Sequence, residues 1–139
     1  MIVLDTNVVS EPMRPRPSAS VVEWLDRQAA ETLFLTSMSL AELLSGVERL
    51  PAGRRRRGLE TALADLIGTL FGGRILPFDE KAARKFASIA ASAASRGFAT
   101  SFADGQIAAI AAVHDFSIAT RHSGPFSAAG LKVIDPWRE

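Results

Sequence analysis

Met1-Ile2-Val3-Leu4-Asp5-Thr6-Asn7 opens the chain. Ile2-Val3-Leu4 is too short for a helix and rich in β-branched side chains, which predicts a fully buried strand. Asp5 then falls at the carboxyl end of that strand. Open α/β sheets bind ligands in the crevice beyond those ends. The fold and the site therefore turn on which other groups reach Asp5. No clear helix start follows it, and a local turn closed by its side chain is the ordinary alternative to a ligand role.

Outward from this strand, Glu11-Pro12-Met13-Arg14-Pro15-Arg16-Pro17 reads as a loop, because its prolines prevent a regular helix. Ser20 with Glu23 forms a capping box for a helix bearing Val21, Val22, Trp24 and Leu25. Leu33–Thr36 reads as a second strand. Ser39 caps a helix with Leu40, Leu43, Leu44 and Val47 at helical spacing, broken by Pro51-Ala52-Gly53. Arg54 to Arg57 open a long amphipathic helix with the stripe Leu59, Leu63, Leu66, Ile67 and Leu70, ended by Gly72-Gly73. Ile75–Phe78 is a third strand, with Pro77 indicating an edge or a bulge. Asp79 caps a helix through Ala93 that Gly97 closes, and Ser101 begins another that runs to about His114. Phe116–Thr120 is a fourth strand. A glycine- and serine-rich loop precedes the last, Leu131–Ile134. Alternating strands and helices with short connections predict a three-layer α/β/α sandwich around a mainly parallel sheet, as a single domain over residues 1–139.

Sixteen Lys and Arg balance fifteen Asp and Glu, so only local charge could mark a nucleic-acid binder. The absence of cysteine excludes disulfides, thiolate ligands and a Cys nucleophile, and two histidines make structural zinc a poor fit. A metal would have to be held by carboxylates, which favours magnesium or manganese. No secretion signal or apolar run of membrane length is present, which predicts a cytoplasmic protein with no membrane partner.

Three acids stand out by position. Asp5 ends strand one, Glu42 lies in the first turn of the helix after strand two, and Asp104 lies in the first turn of the helix before strand four. Strand ends and following helix starts share one edge of a parallel sheet, so Asp5 and Glu42 can meet there; topology alone does not force Asp104 to join them. Converging carboxylates repel one another, and a divalent cation relieves that cost. Water activated by such an ion can attack a phosphodiester. The competing reading is local. Ser39-x-x-Glu42 and Ser101-x-x-Asp104 both fit capping boxes, and Asp79 is a plain N-cap.

The segments IVLDTNVVSE, TSMSLAELLSGVERLP, FADGQIAAIAAVHDFSIATR and GLKVIDPW, in this order and spacing, resemble the PIN-domain ribonuclease toxins of bacterial toxin–antitoxin pairs, the VapC type with its FitB-like branch. The resemblance spans essentially the whole chain. It implies a PIN-like fold, metal-dependent RNA cleavage that inhibits translation, a homodimer, and a cognate antitoxin as neutralising partner. It also implies that the acids of the DTN, AEL and ADxxIAA motifs, here Asp5, Glu42 and Asp104, bind Mg²⁺ or Mn²⁺, with Thr6 or Asn7 supporting the first acid. The chain departs from the family at Thr120-Arg121-His122-Ser123-Gly124-Pro125. His122 stands where Asn or Asp is usual, and Pro125 where a further Asp is common. Ser123 or water fills the gap, or affinity falls, or His122 binds directly and tilts preference toward manganese.

Around this site, Arg121 follows the fourth strand and either grips the scissile phosphate or pairs with Asp104 or Glu42. Arg54, Arg55, Arg56 and Arg57 are candidates for RNA or antitoxin binding, against a plain solvated face; Arg14 and Arg16 are equally ambiguous. Trp24, Leu25, Leu43, Leu44 and Val47 are either core or the lining of an antitoxin groove. The leading expectation is an endoribonuclease that leaves 5′-phosphate and 3′-hydroxyl ends. The alternative is a catalytically weakened module that binds RNA or antitoxin. A haloacid-dehalogenase phosphatase needs a second Asp where this chain has Asn7, and a receiver domain needs an acidic pair that is missing.

Overall fold

The computed structural model describes residues 1–97 and 100–139. Its order is β1 (Ile2–Leu4), α1 (Thr6–Ser10), a 3₁₀ turn (Glu11–Met13), α2 (Ala19–Asp26), a 3₁₀ turn (Ala30–Thr32), β2 (Leu33–Thr36), α3 (Ser37–Glu48) and α4 (Arg54–Leu66). A π-helical turn (Ile67–Phe71), β3 (Ile75–Leu76), α5 (Glu80–Ser95), α6 (Phe102–His114), β4 (Ser117–Ala119), α7 (Ser123–Ala128) and β5 (Val133–Ile134) follow.

The five strands lie in the order β3-β2-β1-β4-β5 and pair in parallel throughout. The sheet is therefore built outward from β1 in both directions. The strand order reverses between β1 and β4, where Leu4 pairs with Ala119, and the crevice at such a reversal is where α/β sheets bind ligands. β3 is an edge strand, as Pro77 indicated.

Side chains alternate across the strands and divide the core in two. Leu4, Leu33, Leu35 and Ala119 join Val8, Val21, Trp24, Leu43, Leu63 and Phe71 on one face. Val3 and Ile118 join Ile89, Ile107, Ala108, Ala111 and Phe126 on the other. Early helices thus cover one face and late helices the other, which is the expected α/β/α sandwich. The small residues of α6 allow α5 close. An added Cβ on Gly105 would lie 2.7 Å from the Phe86 ring.

Several boundaries correct the sequence reading. Asp5 does begin a helix: it is the N-cap of α1 and accepts the Thr6 N–H. Ser18, not Ser20, precedes α2, and the expected box with Glu23 does not form. Instead the buried Glu11 carboxylate accepts the Ser18 N–H at 2.9 Å, tying the proline loop to the helix start. Thr36, not Ser39, caps α3 through a bond from the Ser39 N–H. Glu42 therefore lies in the second helical turn, beyond the reach of a capping box. The segment read as a glycine- and serine-rich loop contains α7. Asp79 and Ser101 cap α5 and α6 as expected, and Gly97, with φ of 72°, ends α5 in a left-handed conformation.

Candidate active site

Asp5 is 6% exposed, wedged between the ends of β1 and β4. Its backbone N–H donates to Ala119 O at 2.9 Å, and its carbonyl accepts from Val8 and Val9 as α1 begins. The side chain is held on both sides. Oδ1 accepts the Thr6 N–H at 2.8 Å; Oδ2 accepts the Thr120 hydroxyl at 2.7 Å and, more distantly, Asn7 Nδ2 at 3.4 Å. Thr120 is fully buried and its Oγ1 also accepts the His122 N–H at 3.0 Å. One hydroxyl thus connects the first acid to the segment that departs from the family pattern.

Thr120 was absent from the sequence-based site. The missed signal is its position: a hydroxyl residue just beyond the strand that pairs with β1. Thr6 was expected to support Asp5 and does so through its backbone. Asn7 Oδ1 is buried with no hydrogen-bond partner among the described residues, and the buried Thr6 hydroxyl faces the Glu42 carboxylate without closing a full hydrogen bond to it. Unpaired buried oxygens of this kind commonly mark a place that water, an ion or substrate fills.

Mutual repulsion couples the three acids, which the fold brings within range of one another. Burial raises the pKa of Asp5; the bonds from Thr120 and Thr6 pull it back, the Asp104 carboxylate raises it again, and His122 lowers it. Partial desolvation raises Glu42, an otherwise exposed residue, and the Asp5 charge raises it further; an incomplete hydrogen bond from the Thr6 side chain offsets some of this, and Asp104 adds to the rise. The topological reason for Asp104's arrival is clear. α6 leads into the amino end of β4, where Ser117 N–H meets Met1 O, so its own first turn lies at the opposite, carboxyl edge.

Among the described residues, no three acid or histidine side chains stand close enough to grip an ion as placed. The donor chemistry suits a hard divalent cation all the same. All three candidates offer carboxylate oxygens, and desolvation, with a smaller repulsion between the acids, raises the pKa of Asp5 and Glu42.

The surrounding residues sort differently from the sequence reading. Arg121 pairs with neither Asp104 nor Glu42; its guanidinium lies 5.1 Å from the centre of the Trp137 ring, a cation–π contact. His122 and Ser123 are exposed at the start of α7. Arg56 bridges Glu48 at 3.0 Å and Glu60 at 2.8 Å, so it joins α3 to α4. Arg54, Arg55 and Arg57 remain exposed. Trp24 belongs to the core at 5% exposure, which corrects its assignment to a groove; Leu43, at 7%, is a core residue that also lines a cleft beside Glu42, and Leu25 packs partly against that core. Leu44 is 47% exposed and Val47 half-buried, so these two keep an apolar surface between α3 and α4.

Comparison with known proteins agrees with this geometry. The PIN domain family matches residues 2–130. The chain is 45% identical over 137 residues to the VapC ribonuclease Y4jK of Sinorhizobium fredii, covering 99% of this chain and 98% of that one. It is 45% identical over 139 residues to the toxin FitB of Neisseria gonorrhoeae, covering all of both chains. The crystal structure of FitAcB from Neisseria gonorrhoeae superposes with a TM-score of 0.95 at 45% identity over the full length of both chains. The chain belongs to the PIN-domain family, within its VapC- and FitB-type toxins.

Proposed function

We propose that this protein is a single-domain, divalent-metal-dependent endoribonuclease, the toxin of a toxin–antitoxin pair. It cuts cellular RNA in the cytoplasm, inhibits translation, and is neutralised by a cognate antitoxin. The observation that carries this reading is Asp5, buried at the reversal of strand order and held by Thr6 and Thr120 within the field of Asp104. The identity to a VapC ribonuclease supports the reaction class.

Asp5, Glu42 and Asp104 would hold Mg²⁺ or Mn²⁺. Such an ion, when bound, acidifies water and neutralises charge on the scissile phosphate. The chain supplies the positioning. Thr6 and Thr120 fix the Asp5 carboxylate, while Glu42 on α3 and Asp104 on α6 would complete the ligand set. His122 and Ser123 flank the site and take the place of the family's usual fourth oxygen donor. A homodimer and an antitoxin seated on the apolar surface around Leu44 and Val47 complete the proposed assembly.

Expression of the protein without its antitoxin tests this reading. Growth and protein synthesis should stop, and Asp5→Asn should relieve the arrest. A second reading has one observation in its favour, the absence of three acids already poised around an ion. In that case the domain acts by binding, and the arrest persists in Asp5→Asn.

A further inference from the structure

The chain has two histidines, and β4 separates them. His114 ends α6 near the amino end of β4 and stacks on Phe116, with 5.4 Å between the ring centres. His122 lies beyond the carboxyl end of β4, on the side of Asp5.

Hydrogen bonds fix the place of His122. β4 pairs with β1, Leu4 opposite Ala119, so Thr120 falls beside Asp5. The Thr120 hydroxyl donates to Asp5 Oδ2 at 2.7 Å and accepts the His122 N–H at 3.0 Å. The histidine backbone is thus joined to the first acid through one oxygen atom. The imidazole itself is uncommitted. His122 is the N-cap of α7, yet its side chain makes no capping bond. No ion pair or aromatic stack among the described residues engages it. The neighbouring Arg121 is turned away, against Trp137.

The charge of His122 nevertheless reaches Asp5: it lowers the carboxyl's pKa, whereas Asp104 raises it. An acid in the place of His122 would add to the repulsion among Asp5, Glu42 and Asp104. A neutral imidazole adds a donor atom and no negative charge.

We propose that the His122 imidazole is a nitrogen ligand of the divalent ion held by Asp5, Glu42 and Asp104, and that it makes this site select Mn²⁺ over Mg²⁺. The inference rests on the metal-dependent nuclease reading and deepens it by naming the ion. Mg²⁺ takes oxygen ligands in near-ideal octahedral geometry. Mn²⁺ also accepts carboxylates, but as a first-row transition ion it takes imidazole more readily. An exposed ring without a partner changes rotamer freely, so turning toward an ion breaks no existing contact. The bond through Thr120 sets the point from which it turns.

The test loads the full-length, antitoxin-free protein with Mn²⁺. Electron spin echo envelope modulation reads nitrogen bound to Mn²⁺ without reference to activity. The parent and His114→Gln should both show imidazole nitrogen coupling, and His122→Asp should lose it. Calorimetry with each ion gives the preference. His122→Ala should weaken Mn²⁺ binding at least about tenfold, the lower end of what losing even a ligand's supporting partner costs, and leave Mg²⁺ binding nearly unchanged. His122→Asp should narrow the preference by strengthening Mg²⁺. The parent's spectrum decides the matter even if a variant fails to fold. If the parent binds Mn²⁺ in an Asp5-dependent way without nitrogen coupling, and His122→Ala binds it equally well, the histidine ligand is wrong and the three-acid nuclease reading stands. Folded parent that binds no Mn²⁺, or binds it undiminished in Asp5→Asn, would overturn both.

Discussion

The Thr120 hydroxyl donates a 2.7 Å hydrogen bond to Asp5 Oδ2, joining residues 115 positions apart at the reversal of strand order. The same oxygen accepts the His122 N–H, so a single side chain holds both the first acid and the start of α7. Thr120→Val removes the donor and leaves a buried carboxylate short of a partner. We expect a loss of about 1–3 kcal/mol in denaturant unfolding and a drop in RNA cleavage of about 10- to 100-fold, the usual effect of losing a group that orients a ligand. Thr120→Ser, which keeps the hydroxyl, should retain most of both.

The raised pKa of Asp5 has a consequence for stability. A carboxyl that ionises less readily when folded than its ordinary value of 3.8 destabilises the folded state once it is charged. That cost is absent below the ordinary value, grows as pH rises through the window up to the raised folded value, and is complete above it. Asp5→Asn keeps a capping oxygen for Thr6 without the charge. Its melting temperature should exceed the parent's at neutral pH in metal-free buffer, and the gap should close as the pH falls below about 4. A gap that widens on acidification would contradict this account.

Metal should reverse that ranking. An ion that binds only the folded state at a hundred times its dissociation constant adds about 2.7 kcal/mol. Mn²⁺ should therefore raise the melting temperature of the parent, EDTA should remove the gain, and Asp5→Asn, Glu42→Gln and Asp104→Asn should each blunt it. Differential scanning fluorimetry with and without Mn²⁺ reads this directly.

Two glycines should respond in opposite directions. A Cβ at Gly105 would meet Phe86 Cε2 at 2.7 Å, so Gly105→Ala must displace that ring or part α5 from α6. The expected cost is about 1–3 kcal/mol. Gly46, inside α3, has nothing within 4 Å of an added Cβ. Gly46→Ala should stabilise the protein by about 0.5–1 kcal/mol, because glycine is a poor helix residue. Urea unfolding of both variants checks the pair.

The sequence was most legible where one local rule governed one element. Ile2-Val3-Leu4 could only be a short strand, and Asp79 and Ser101 cap the helices they precede. The errors arose where two residues competed for one role. Thr36 and Ser39 both suit an N-cap, and the backbone chose Thr36. That moved Glu42 out of capping range and removed its simplest structural explanation. α1 went unseen because Asp5, read as a strand end, is also the cap of the helix that follows. α7 was hidden because its composition is that of a loop. Long-range relations were beyond local pattern altogether. The bond from Thr120 to Asp5 could be sought only once β4 was known to pair with β1, and the contact of Arg121 with Trp137 has no signature in spacing.

The measurement that bears most directly on the central claim is cleavage of RNA by the purified, antitoxin-free protein in Mg²⁺, Mn²⁺ or EDTA, beside Asp5→Asn. The account predicts cleavage with either ion that leaves 5′-phosphate and 3′-hydroxyl ends, none in EDTA, and none from the folded Asp5→Asn variant. Cleavage that persists in EDTA or in Asp5→Asn would contradict it. So would folded, metal-supplied protein that leaves transfer, ribosomal and messenger RNA intact.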